Sequence, residues 1–330
     1  MSTNSSYTIG VDLGGTNLRI AAVDPRGGIC ERINLDTEVK EGRLRVVADL
    51  CNAVKEIEQR LPNSQLGGIG IGVPGIINLA DGTVRQSPNL PGWSDFPVRD
   101  DIEQRLGTHV VLENDANAAA LGESWVGAGR DVPSLCMITV GTGIGGGLIL
   151  DGRIWHGREG MAGELGHMTI DPNGALCGCG NLGCVEAYAA ASAISRMAMA
   201  AVRVGRSPEL ARDAEQLGEL TAEIVYIKAK QGDTVAREIF EMVGRSLGVA
   251  IANLINIFNL PLYVVGGGVA HGWDAFSPSL MAEVHKRSLI ARSTNTTIVA
   301  SALGADAGLI GAAHLPYLAQ EGTHAGEQRI

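Results

Sequence analysis

Short apolar runs alternate with segments of helical period along the first third of this chain. Residues 7–12 and 18–24 are apolar runs on either side of Gly14-Gly15-Thr16, the pattern of two strands joined by a glycine turn, and residues 29–35 add a third strand. Leu44, Val47, Leu50, Val54, Ile57 and Leu61 then recur at helical spacing, and Pro62 ends the helix they predict. Residues 68–73 return to strand, and 98–106 predict a helix. Residues 110–112 predict a strand feeding an Ala-rich helix that opens at Asn114 or Asp115.

The opening arrangement then recurs. Residues 135–140 and 146–150 are again apolar strands around a glycine turn, so the two halves read as diverged copies. The remainder predicts helices at 191–204, 234–258, 273–288 and 306–318, and a strand at 262–265 that ends in Gly266-Gly267-Gly268. Residues 321–330 are polar enough for a loose tail. Strands alternating with helices give an α/β class. The expected division is a smaller N-terminal α/β domain of residues 1–113 joined by about 301–320, a larger α/β domain of residues 114–300, and the tail.

Composition changes this picture in three places. Glycine, at 45 of 330 residues, is about twice its average share, which calls for many tight turns or close backbone approaches. A formal charge of -10 argues against a nucleic-acid surface, because that binding is driven by Lys and Arg; a small-molecule partner fits better. No run reaches the ~20 apolar residues of a membrane span. The nearest, around Leu247, is broken by Asn253, Asn256 and Asn259. Residues 1–6 are polar and lack the apolar core of a signal peptide, so the expected location is cytoplasmic.

The run Gly141-Thr142-Gly143-Ile144-Gly145-Gly146 fits a dinucleotide-binding pattern. The chain continues, however, into strand and turn rather than into the helix whose N-terminus would meet a pyrophosphate. The chain has no Gly-Lys pair, which excludes a Walker phosphate loop. A glycine turn between strands is by itself only a turn. Successive N–H groups without Cβ atoms can still converge on phosphate, with the hydroxyls of Thr16 and Thr142 as added donors. Two such hairpins, one with Gly14, Gly15 and Thr16 and one with Thr142 and Gly143, suit a triphosphate. Asp12, directly before the first turn, reads either as a strand-end carboxylate or as the group that holds Mg2+, usually through water.

Three of the six cysteines crowd into eight positions. His167, Cys177, Cys179 and Cys184 have the spacing His-x9-Cys-x-Cys-x4-Cys, which supplies the three thiolates and one imidazole of a closed tetrahedral zinc site. The alternative is a set of buried free thiols beside an unrelated histidine. Four protein ligands leave no open position, so such a zinc is structural, and Gly178, Gly180 and Gly183 let the loop fold tightly around it.

Asp12-Leu-Gly-Gly-Thr16, Glu164-Leu-Gly-His167 and Cys177-Gly-Cys179-Gly-Asn-Leu-Gly-Cys184 together resemble the ROK family of sugar kinases and repressors, across nearly the whole chain. The resemblance implies an actin-like ATPase architecture, in which two ribonuclease-H-like domains with a cleft between them close over ATP and sugar. It implies ATP-dependent phosphorylation of a hexose, with glucose to glucose 6-phosphate first. N-acetylmannosamine or another hexose is the alternative, since residues 12–19 also resemble kinases of that amino sugar. Polyphosphate stays open as a phosphoryl donor, and the resemblance implies a homodimer.

By the same resemblance Asp115, in Glu113-Asn114-Asp115-Ala116-Asn117, is the general base, and Asn114 binds a sugar hydroxyl. The plainer role of either residue is to cap the Ala-rich helix, and both roles can coexist. Glu164, His167, Glu186 and Asn89 match sugar-binding positions, and Gly75 lines the same pocket by its backbone. Without the motif the two glutamates would read as exposed carboxylates. Gly267 and Gly268 match the loop that meets adenosine, or form an ordinary strand-to-helix turn. His167 serves two motifs, with one ring nitrogen for zinc and the other for the sugar. Repressors of the family need a helix-turn-helix module, and Asp12 comes too early here to leave room for one.

Overall fold

The computed structural model of the protein describes residues 5–87 and 89–326. Strand β1 (Ser5–Leu13) is buried without a break from Tyr7 to Val11, as a run lacking polar alternation requires, and it takes the centre of a sheet. β2 (Asn17–Val23) turns back on it, and β3 (Ile29–Asp36), alternately half-buried and exposed, forms the edge. Helix α1 (Arg43–Arg60) buries Val47, Leu50, Val54 and Ile57 in the same core, each worth roughly 1.5–3 kcal/mol. The chain then enters β4 (Ser64–Val73), parallel to β1. A hairpin of β5 (Ile76–Asn78) and β6 (Thr83–Gln86) and helix α2 (Val98–Leu106) lead to β7 (Val110–Asn114), parallel to β4. The order is β3-β2-β1-β4-β7, and helix α3 (Asp115–Val126) leaves β7 with no intervening loop.

A second sheet contains β8 (Leu135–Val140), β9 (Ile144–Leu150), β10 (Arg153–Ile154), β11 (Leu262–Gly266) and β12 (Thr297–Ala300), in the order β10-β9-β8-β11-β12. β11 is parallel to both β8 and β12. Counted within each half, and leaving out the small hairpin, both sheets read third, second, first, fourth, fifth. This is the duplication expected of the actin-like ATPase architecture. Helices α4 (Glu186–Ala189), α5 (Ala191–Arg203), α6 (Pro208–Leu217), α7 (Ala222–Gln231) and α8 (Thr234–Phe258) come between β10 and β11. α9 (Trp273–Arg287) separates β11 from β12, and α10 (Ala307–Gly326) comes last.

The chain forms two compact units. The first takes in the chain to Ser134, Gly147–Ala162 and the chain from Ala302, and the second takes in Leu135–Gly146 and Gly163–Ser301. α3 lies with the first unit, although the sequence suggests a boundary before residue 114, because α3 packs backbone to backbone on α10. A Cβ on Gly122 would stand 3.0 Å from Gly311 N. Within the second unit α8 meets α9 in the same way, since a Cβ on Gly248 would stand 2.7 Å from Leu280 O.

The β5–β6 hairpin, β10, β12, α6 and α7 have no counterpart in the sequence pattern. α6 buries only Leu210, although Leu210, Ala214 and Leu217 recur at helical spacing, and β12 buries no residue fully. The available signals were the caps, Ser207 accepting from Leu210 N and Thr221 from Ile224 N. The loose tail expected from residue 321 is helical through Gly326, and residues 327–330 lie outside the described residues. Among the described residues no helix is long and apolar enough to cross a membrane.

Candidate functional site

The candidate residues of the first unit gather at the carboxyl ends of β1, β4 and β7. Asp12 sits opposite Arg19 in the β1–β2 ladder and pairs with its guanidinium, whose other nitrogen donates to Ala305 O at 2.7 Å. Gly14 N–H donates to Asn17 O at 2.9 Å and closes the β1–β2 turn; Thr16 beside it is exposed. Asn89 lies against this turn: a Cβ on Gly15 would stand 2.8 Å from Asn89 O. Gly308, at the start of α10, touches both ends of the group, since a Cβ there would lie 3.7 Å from the Asp12 carboxyl carbon and 3.9 Å from Asp115 O.

β7 delivers Asn114 and Asp115 directly into α3. Asn114 has extended backbone (φ -64°, ψ 144°), and its Oδ1 accepts from Ala116 N at 2.9 Å and Asn117 N at 3.2 Å, which makes it the N-cap. Its amide nitrogen donates to Gly75 O at 3.4 Å. Gly75 has φ 105°, and Ser87 Cα would lie 2.8 Å from a Cβ at this position, so only glycine fits. Asp115 is half-buried, and its Oδ1 also accepts from Ala116 N, at 2.9 Å. Behind the turn Glu113, 3% exposed, accepts from Asn114 N at 2.9 Å and Asn117 Nδ2 at 3.0 Å, and its other oxygen meets His156 Nε2 at 2.7 Å. The Glu113 hydrogen bond holds the His156 pKa above its ordinary value, against the opposing pull of burial.

In the second unit Gly141 N–H donates to Gly143 O at 2.9 Å, closing the β8–β9 turn; Thr142 O accepts from Ser192 Oγ at 3.0 Å. Gly267, at φ 85°, packs so closely on the end of β8 that a Cβ would stand 2.7 Å from Val140 N. Gly268 has open space on its Cβ side. Glu186 lies beside the β8–β9 turn, where Oε2 accepts from Ile144 N at 2.9 Å and Oε1 faces Cys177 Sγ at 3.6 Å. Glu164 is exposed, and His167 Nε2 lies 3.9 Å from its Oε2.

The ligand atoms of His167, Cys177, Cys179 and Cys184 all lie within 4.8 Å of one another. Cys179 Sγ and Cys184 Sγ are 3.7 Å apart, as are Cys177 Sγ and His167 Nδ1. A tetrahedron with Zn–S of about 2.3 Å and Zn–N of about 2.0–2.1 Å has edges of about 3.8 Å and 3.6 Å, so the donor set fits zinc. A disulfide would need sulfurs about 2.05 Å apart. Nδ1 is the nitrogen on the ligand side, which leaves Nε2 toward Glu164. Gly180 (φ 90°) and Gly183 (φ 73°) take the left-handed turns of the loop, whereas Gly178 does not, so two of the three expected glycines are required by the turn.

The first unit thus holds Asp12, Gly14, Gly15, Thr16, Gly75, Asn89, Asn114 and Asp115, and the second holds Thr142, Gly143, Glu164, His167, Glu186, Gly267 and Gly268. Glu113 opens the Glu113-Asn114-Asp115-Ala116-Asn117 motif with no role of its own assigned there, and His156 belongs to none of the sequence motifs. An acid directly after the apolar stretch 110–112 was the one signal that could have flagged Glu113, and nothing flagged His156.

The ROK family profile matches residues 8–318. A glucokinase of Halalkalibacterium halodurans is 37% identical over 311 residues, spanning 92% of this chain and 93% of that protein. A glucokinase of Thermotoga maritima is 37% identical over 307 residues, spanning 93% of this chain and 96% of that protein. The crystal structure of a ROK family glucokinase from Streptomyces griseus in complex with glucose and AMPPNP matches with a TM-score of 0.81 at 35% identity, over 94% of this chain and 98% of that one.

Proposed function

Because this chain belongs to the ROK family, we infer that it is an ATP-dependent sugar kinase of actin-like ATPase fold that converts glucose to glucose 6-phosphate. The observation that carries this reading is similarity over more than nine-tenths of the chain to a glucokinase seen with glucose and AMPPNP. A glycine hairpin at the same place in each of two equivalent sheets supports it.

In this reading Asp115 takes the proton of the sugar 6-hydroxyl as that oxygen attacks the γ-phosphorus. The new P–O bond forms while the bond to the β-phosphate oxygen breaks, and ADP leaves. Such a transfer depends on positioning and on neutralising phosphate charge. The N–H groups of the β1–β2 and β8–β9 turns supply donors for phosphate, and Asp12 is the carboxylate for Mg2+. Gly268, open on its Cβ side, leaves room for adenosine, and Gly267, packed on the end of β8, carries the turn that places it there. Asn89, Asn114, Glu164, His167, Glu186 and the Gly75 backbone bind the sugar. Glu186 does so while accepting from Ile144 N, since a carboxylate has lone pairs for both. A zinc ion on His167 Nδ1, Cys177, Cys179 and Cys184 would have no open position, so its contribution would be to fix the loop and the His167 ring. The use of ATP supports a cytoplasmic location, and the family resemblance supports a homodimer.

Asp115→Asn tests the assignment. Its kcat should fall by about 100- to 10,000-fold, while glucose binding measured by calorimetry stays close to that of the unaltered protein. Retained turnover would remove Asp115 as the base. In the unaltered enzyme, kcat/KM across hexoses, N-acetylmannosamine, ATP and polyphosphate should be highest for glucose with ATP. A higher value for the amino sugar would reassign the substrate.

A further inference from the structure

Glu113 is a carboxylate buried at the end of an otherwise apolar strand, and its contacts converge on the turn into α3. One oxygen accepts the Asn114 N–H at 2.9 Å and the Asn117 side-chain amide at 3.0 Å, so it grips the chain on both sides of Asp115. The other oxygen meets His156 Nε2 at 2.7 Å. A buried carboxylate is costly to keep charged without a hydrogen-bonding partner, and His156 supplies the hydrogen bond and, when protonated, the opposite charge. His156 comes from the segment after β10, far along the chain, where Gly157 (φ 69°) bends the backbone and Ala162 N–H donates to His156 O at 3.1 Å.

We propose that His156 is a positioning residue for phosphoryl transfer, which acts through its ion pair with Glu113 to fix the β7–α3 turn that presents Asn114 and Asp115. The inference rests on the reading of Asp115 as the base. With the pair intact, three donors hold the Glu113 carboxylate in one orientation. Without His156 one buried oxygen loses its partner, the carboxylate is free to turn, and its grip on Asn114 N and Asn117 loosens. A shift of about 1 Å in a reacting group costs on the order of 100-fold in rate. The phosphate-binding turn of β1 and β2 makes no use of this pair, so ATP binding is spared.

His156→Phe keeps the ring and removes the donor, whereas His156→Gln keeps an N–H within reach of Glu113. In the full-length enzyme His156→Phe should lower kcat by about 10- to 100-fold with the KM for ATP unchanged, and His156→Gln should recover most of that loss. Glu113→Gln combined with His156→Phe should be no slower than His156→Phe alone, because the stranded charge is gone. A kcat for His156→Phe equal to that of the unaltered enzyme, or a lower melting temperature with no change in kcat, would overturn the proposal. If His156→Phe does not fold, Glu113→Gln alone decides, and an unchanged kcat there also overturns it. Asp115→Asn run in parallel separates the two readings. Turnover lost in Asp115→Asn but intact in His156→Phe defeats only this inference, and turnover kept in Asp115→Asn defeats both.

Discussion

The His167 ring has Nδ1 3.7 Å from Cys177 Sγ and Nε2 3.9 Å from Glu164 Oε2, so whatever holds one nitrogen aims the other. Zinc on Nδ1 would set the ring angle at which Nε2 meets a sugar oxygen. Cys179 is the exposed thiol of the set, so replacing it removes a ligand and leaves buried packing intact. Cys179→Ser should therefore lose zinc, measured by metal analysis, and raise the KM for glucose by about 10- to 100-fold with the KM for ATP little changed. A folded, zinc-free protein with normal glucose KM would break the link between the loop and the sugar. At this scale the sequence was most legible where spacing is itself the chemistry, as in His167, Cys177, Cys179 and Cys184, whose donor atoms do come together. It was least legible at His156, because nothing in the sequence around it ties it to Glu113, 43 positions earlier.

Elements show what the excess of glycine is for. Gly10 and Gly70 lie inside β1 and β4, and Gly122 and Gly311 lie inside α3 and α10, none of them in a turn. A Cβ on Gly10 would stand 2.8 Å from Ala313 N, and one on Gly311 would stand 2.6 Å from Gly122 N. These glycines let α10 seat its backbone directly on the sheet and on α3. The sequence offered turns and close approaches as equal explanations, because only the partner element, distant in the chain, distinguishes them. Gly311→Ala discriminates, since alanine is the better helix former by up to about 1 kcal/mol. Overpacking against α3 costs about 1–3 kcal/mol, so the net change should be destabilising, seen as a lower urea midpoint with an unchanged slope. A raised midpoint would mean that α10 has space at Gly311.

For the whole molecule, the recurring strand–glycine–strand pattern was enough to anticipate two equivalent halves, because a glycine turn between apolar runs is a local signal. The order of the strands was not legible, since parallel pairing joins segments with no local relation. One consequence of the long return of α10 to the first unit is a response to acid. His314 stacks on Trp125 of α3 with ring centroids 4.2 Å apart, and its Nδ1 is buried without a partner among the described residues. Burial pushes its pKa down from 6.5 to about 4. The unfolded chain therefore binds a proton that the folded chain refuses, so this contribution to stability is complete above about pH 6.5 and is lost as pH falls toward 4. Allowing for partial exposure, the loss is about 2–3 kcal/mol. The His156–Glu113 pair has the opposite sign: it is fully present below the ordinary histidine pKa and is lost as pH rises through the raised value. Urea unfolding between pH 4.5 and 7 should therefore show a shallower loss of stability in His314→Phe, which keeps the stack on Trp125 and cannot take a proton. Equal slopes in the two proteins would show that His314 is protonated in the folded state.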